Sequence, residues 1–64
     1  MKYLVKVAII DVDYLVFDQG EVVEEVPAKR DGHVRLESRT TNRRAEIPVT
    51  IFEQIKKNHL QEMS

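Results

Sequence analysis

Apolar residues recur at every second position over most of this chain, and at every third or fourth only towards its end. Over residues 2–10, Tyr3, Val5, Val7 and Ile9 alternate with the mixed set Lys2, Leu4, Lys6, Ala8 and Ile10. A period of two predicts a strand with one face on the core, because successive strand side chains point to opposite sides. Asp11-Val12-Asp13 lacks this pattern and predicts a bend. The apolar run Tyr14–Phe17 comes next, followed by Asp18-Gln19-Gly20, a turn in which Gly supplies a positive φ at little steric cost. Residues 21–26 form a strand of ambiguous parity. Val22 and Val26 share a face with Glu24, whereas Val23 lies with Glu21 and Glu25. Either a bulge shifts the register there, which is the favoured reading, or Glu24 sits at a sheet edge.

The following hairpin is clearer. Pro27–Gly32 reads as a loop with Asp31-Gly32 as its turn signal. Residues 33–38 return with Val34, Leu36 and Ser38 inward and Arg35 and Glu37 outward, continued by Arg39. Thr41-Asn42 turns the chain again, and residues 43–47 place Ala45 and Ile47 inward and Arg44 and Glu46 outward. Pro48 cannot donate to a ladder and marks the end of that strand. The period then changes. Thr50 with Glu53 has the spacing of a capping box, and Ile51, Phe52, Ile55, His59 or Leu60, and Met63 fall at three-to-four spacing. One amphipathic helix is therefore expected from about Thr50 to Leu60, with Lys56 and Lys57 in its later turns, where the helix dipole favours cations. The expected core is Val5, Val7, Ile9, Phe17, Val34, Leu36, Ile47, Phe52 and Ile55.

The order Phe17-x-x-Gly20-Glu21-Val22-Val23, then Asp31-Gly32, then Ile47-Pro48 resembles the SH3-like barrel family over a little more than half of the chain. The resemblance implies a mainly β domain: a small five-stranded antiparallel SH3-like barrel or bent sheet with one C-terminal helix. A sheet with the helix laid across one face, of the α+β class, is the competing architecture. The chain departs from the family where ligands bind. His33 and Val34 stand where a Trp pair is expected, Ile51 replaces the tyrosine three residues after the corner proline, and Asp13-Tyr14 is a faint echo of the family's aromatic-acidic opening segment. A polyproline helix docks in an aromatic-lined groove, so the four aromatics of this chain argue against proline-rich ligands.

Sixty-four residues make one domain, with no room for a cleft between lobes. With 33% charged and 42% hydrophobic residues the chain is expected to be globular, and without Cys it has neither a disulfide framework nor a thiolate zinc site. The cytoplasm is then the simpler compartment. The apolar stretch Leu4–Ile10 is interrupted by Lys6 and is too short to span a bilayer, so no membrane role is expected.

Candidate chemistry is sparse. Asp11 and Asp13 at a strand end resemble the paired carboxylates of haloacid-dehalogenase-type phosphotransferases, but that chemistry needs Mg²⁺ and a parallel sheet with crossover helices, which a chain of this length cannot build. A solvated turn is the preferred reading. His33 and His59 could share a metal only if the helix folded back over the hairpin. No enzyme activity and no cofactor are expected. Charge is segregated: residues 1–28 carry two basic and six acidic side chains, and residues 29–64 carry eight and five. The basic excess gathers in Lys29, Arg30, Arg35, Arg39, Arg43 and Arg44, with Arg35, Arg39 and Arg44 expected on one outer face. These six are the candidate partner-binding residues. The leading expectation is a small non-enzymatic adaptor or inhibitor of a larger cytosolic protein, of the kind bacteria, phages or mobile elements encode. The alternative is a nucleic-acid binder that uses the arginine face. Monomer and homodimer both stay open, the first strand being one candidate dimer edge.

Overall fold

The computed structural model describes residues 1–11 and 14–63. Among these residues seven strands and one helix follow one another: β1 (Lys2–Val5), β2 (Ile9–Asp11), β3 (Tyr14–Phe17), β4 (Val22–Val26), β5 (His33–Ser38), β6 (Arg44–Pro48), α1 (Val49–His59) and β7 (Leu60–Met63). Five of the strands form one antiparallel sheet in the order β6-β5-β4-β1-β7, and β2 and β3 form a separate hairpin. The chain is thus mainly β with one C-terminal helix. No ladder joins β6 to β7 among the described residues, so the sheet is open. Helix α1 leads directly from β6 into β7 and so links the two outermost strands.

The single long first strand expected over 2–10 is broken. The amides of Lys6 and Val7 both donate to the carbonyl of His59, at 2.7 and 3.3 Å, and the chain bends away from the ladder. Val7 thereby leaves the core side and is 52% exposed, contrary to its expected place in the core. Ile9 regains the core on β2, paired with Phe17, and a bulge after Ile9 re-aims the rest of the hairpin. The bend expected over 11–13 includes residues 12 and 13, which lie outside the described residues. β1 is flanked by β4 and β7, so neither of its edges is open to a second copy.

The parity of β4 resolves without a bulge. Its ladders to β1 and β5 run in unbroken register, with Tyr3 opposite Val23, Val23 opposite Ser38 and Glu25 opposite Leu36. The core face is therefore Glu21, Val23 and Glu25. Glu24 lies on the outer face of an interior strand, not at an edge. Carboxylates on the core side are tolerable here because each finds a donor: Tyr3 Oη donates to Glu25 at 3.2 Å, and Glu21 collects several hydrogen bonds.

The core consists of Tyr3, Val5, Ile9, Phe17, Val23, Leu36, Ile47, Phe52 and Leu60, with Val34, Ala45, Val16 and Ile55 packed against it. Phe17, Val23 and Leu36 are fully buried. Phe52 is the one buried residue of α1 and meets Tyr3 edge-on, ring centroids 6.1 Å apart, while Lys56 Nζ sits 5.4 Å from the Phe52 ring. Val34 and Ile55 lie at the core margin instead of inside it.

The expected capping box does not form. Pro48 occupies the cap position at φ −55° and ψ 141°, a polyproline-like conformation, and no side chain caps the helix. The ladder supplies a substitute, since the amide of Val49 donates to the carbonyl of Gly32 at 2.9 Å. Glu53 instead pairs with Lys56 at 3.6 Å. The helix stops at His59, and Leu60 continues in extended conformation as β7, a strand that helical periodicity concealed. Among the described residues no helix is long and apolar enough to cross a membrane.

Candidate interaction surface

Three clusters stand out among the described residues, two polar and one apolar. The first is the clasp around Glu21. Gly20, at φ +93°, turns the chain so that its own amide donates to Val5 O and the Glu21 carbonyl accepts from Val5 N, both at 2.9 Å. The buried Glu21 carboxylate then accepts from the Asp18 amide at 2.6 Å, Ser38 Oγ at 2.7 Å and Thr41 Oγ1 at 3.0 Å, with an Arg43 guanidinium nitrogen 3.5 Å away. Burial alone raises its pKa, but the Asp18, Ser38 and Thr41 donors and the Arg43 charge outweigh burial and hold it below the ordinary carboxyl value. Ser38 Oγ also accepts from the amides of Thr40 and Thr41. The clasp therefore ties the turn before β4 to the turn after β5.

The second cluster is the outer face of the sheet, where the expected arginine patch is largely neutralised. Arg35 and Arg44 do share this face, but Glu37 is the register partner of Arg44 and Glu46 that of Arg35. Arg35 Nε lies 2.9 Å from Glu37, and another of its nitrogens lies 3.9 Å from Glu46. Arg39, in the turn beyond β5, reaches Glu24 at 2.9 Å. Arg43 turns the other way, into the clasp. The Lys29 amide donates to Glu46 at 3.3 Å, which draws the 27–32 loop over the same face. Among the described residues, Lys29, Arg30 and Arg44 make no ion pair. Three of the six candidate cations are thus matched by carboxylates, and the six do not form one continuous patch.

The third cluster is apolar. Beyond its bulge the β2–β3 hairpin leaves Ile10 66% and Tyr14 64% exposed, and Leu15 about one-third exposed. Ile10 and Val16 of this hairpin face Ile47, Pro48 and the half-exposed Ile51 across a groove of about 470 Å³. Among the described residues the carboxylates along the groove are those of Asp11 and Glu46, and His59 also lines it. Sequence reading missed this surface. The signal available was Ile10, the one large β-branched residue on the mixed face of the first strand, and the unbroken apolar run Tyr14–Phe17.

The two histidines stay apart. His33 is the register partner of Pro48, just before α1, whereas His59 ends that helix. Eleven helical residues span roughly 15 Å, too far for a shared metal ion. Their Nδ1 atoms approach backbone carbonyls instead, Asp31 O at 2.9 Å and Val7 O at 3.1 Å. Asp11 ends β2, while Asp13, its supposed phosphotransferase partner, lies outside the described residues. Comparison with family models, with curated proteins and with solved structures finds no match for this chain.

Proposed function

We propose that this chain is a small non-enzymatic binding module, an adaptor or inhibitor that docks on a larger cytosolic protein through the β2–β3 hairpin. The observation that carries the reading is the pair Ile10 and Tyr14, large side chains left two-thirds exposed on a chain that has little core to spare. A domain of this size buries only roughly 60% of its unfolded surface, so apolar area left in water is a stability forgone. Clustered exposed apolar side chains mark interaction surfaces more often than they mark chance. An SH3-like barrel is the architecture proposed for the module. Supporting it are the sheet order β6-β5-β4-β1-β7, the hairpin inserted between β1 and β4, and the corner at Ile47-Pro48, with a helix where the family has a short 3₁₀ turn. The ligand is not a proline-rich helix, because the groove is lined by aliphatic side chains.

Nucleic-acid binding by Lys29, Arg30, Arg35, Arg39, Arg43 and Arg44 is the weaker reading. Affinity for a phosphate backbone grows with the number of cations free to replace counterions, and three of these six already face carboxylates. Affinity capture from bacterial lysate, with and without nuclease, tests both. One stoichiometric protein retained by the wild type and lost by the double variant Ile10→Ser, Tyr14→Ser supports the hairpin reading. Retention by that variant, or a catch that nuclease abolishes, overturns it.

A further inference from the structure

The free edge of β6 is self-complementary, and we infer that two copies of this chain pair there, β6 against β6, as an antiparallel dimer with Arg44 of each copy opposite Glu46 of the other.

The argument starts from the backbone. Ser38 N donates to Arg43 O and Val49 N to Gly32 O, both at 2.9 Å, at the two ends of the β5–β6 ladder. Antiparallel hydrogen bonding alternates along a strand, so Ala45 and Ile47 spend their amides and carbonyls on β5, as Arg43 does its carbonyl, while the Arg43 amide donates to Thr41 Oγ1 at 3.2 Å. Arg44 and Glu46 turn theirs to the open side, together with the carbonyl of Pro48. β6 is the last strand of the sheet, so no further strand pairs with this side among the described residues. An extended segment placed there would satisfy the unpaired groups, which is how exposed sheet edges recruit partners.

Side-chain charge then selects the occupant and the register. Outward-facing groups pair only with outward-facing groups, and three two-fold arrangements set Arg44 and Glu46 against themselves or each other. One sets Glu46 opposite Glu46, a second sets Arg44 opposite Arg44, and the third sets Arg44 opposite Glu46 twice. Like charges directly opposite in a sheet are unfavourable and unlike charges are favourable, so only the third is compatible. Arg44 makes no ion pair among the described residues and is free to meet Glu46 of a second copy. In this register Ala45 faces Ala45 across the two-fold axis, a small residue at the closest approach. Pro48, lacking an N–H, ends the ladder and keeps the pairing from sliding further. The result is an isologous, closed dimer. It leaves Tyr14 and the exposed rim of the hairpin outside the strand pairing.

Sedimentation equilibrium over a dilution series tests this, with circular dichroism to verify folding. The wild type is expected to dimerise. Arg44→Glu alone and Glu46→Arg alone each create two like-charge pairs and should weaken self-association by about tenfold or more. A mixture of the two variants restores both unlike pairs and should form a heterodimer. A wild type that stays monomeric throughout, a dimer that both variants keep, or variants that fail to complement on mixing would each overturn the inference. A second measurement needs no charge change. The chain has no Cys, and Ala45→Cys brings two thiols to Cα positions about 4.5 Å apart, within disulfide reach. Oxidation should cross-link it far faster than Gln61→Cys on the opposite edge strand, and equal rates would refute the pairing.

Discussion

Glu21 should set both the stability of this protein and its response to acid. Its carboxylate is the shared acceptor for the Asp18 amide and the Ser38 and Thr41 hydroxyls, and it faces the charge of Arg43. In Glu21→Gln one oxygen and the shape survive, but the negative charge is lost. Hydrogen bonds to a charged acceptor are worth about 1.5–3 kcal/mol against about 0.5–1.5 kcal/mol for neutral ones, so a loss of about 1–2 kcal/mol is expected at neutral pH. Glu21→Ala strands the three donors as well and should cost about 3–5 kcal/mol. A chain of this length has only about 3–10 kcal/mol in total, so the Ala variant should be largely unfolded. The pH dependence follows from linkage. The folded-state pKa lies below the ordinary value of 4.5, so on acidification the unfolded chain takes up the proton first. The stabilisation is complete above that ordinary value and disappears as pH falls through the depressed folded value. Urea unfolding of wild type and Glu21→Gln, followed by far-UV circular dichroism from neutral pH to about pH 3, should therefore show a gap that closes with acid. A gap of constant size over that range would refute the charge-based account of the clasp.

Phe52→Ala removes the only buried side chain of α1 and its edge-on contact with Tyr3; a loss of about 3–5 kcal/mol is expected in denaturant unfolding. The Tyr3 phenol is pushed from 10.0 to about 12 by burial first and then by the charge and hydrogen bond of Glu25. Because the unfolded chain ionises first, this contribution is complete below pH 10 and is lost as pH rises through about 12, and ultraviolet titration should show a late tyrosinate that Tyr3→Phe abolishes. Gly20→Ala meets no atom within 4 Å, so its cost is backbone strain at φ +93°, about 1–2 kcal/mol by thermal unfolding. Val7→Ser, at an exposed position, should change stability by no more than about 0.5 kcal/mol in the same assay.

Local pattern was a sound guide in the β5–β6 hairpin, where each strand's partner lies next to it in the chain. The alternation over 33–38 and 43–47, the turn signals at Asp31-Gly32 and Thr41-Asn42, and the stop at Pro48 all match β5, β6 and their connections. There a hairpin closes on itself, and turn chemistry and face parity determine the register together. The site was harder to read. The six cations were legible as a cluster in sequence, and so were Glu37 and Glu46 as outward residues that dilute it, but Glu24 reaches Arg39 and Glu46 lies opposite Arg35 only when β4, β5 and β6 are set side by side.

The sequence by itself therefore determined the mainly β character, the β5–β6 hairpin and most of the buried positions. Tertiary structure alone decided the rest, and in each instance through a distant partner. Leu60–Met63 continues a helical pattern, yet it is extended because β1 offers a ladder and Leu60 gains the core beside Val5. Val7 is in phase with Val5 but is turned out because the amides at 6 and 7 both bond to His59. Glu21 has the look of a surface residue and is buried because donors from positions 18, 38 and 41 converge on it. Periodicity reports which side of an element is apolar. Which backbone lies alongside, and which donors surround a carboxylate, are set by contacts between residues far apart in the chain, and no local pattern encodes them.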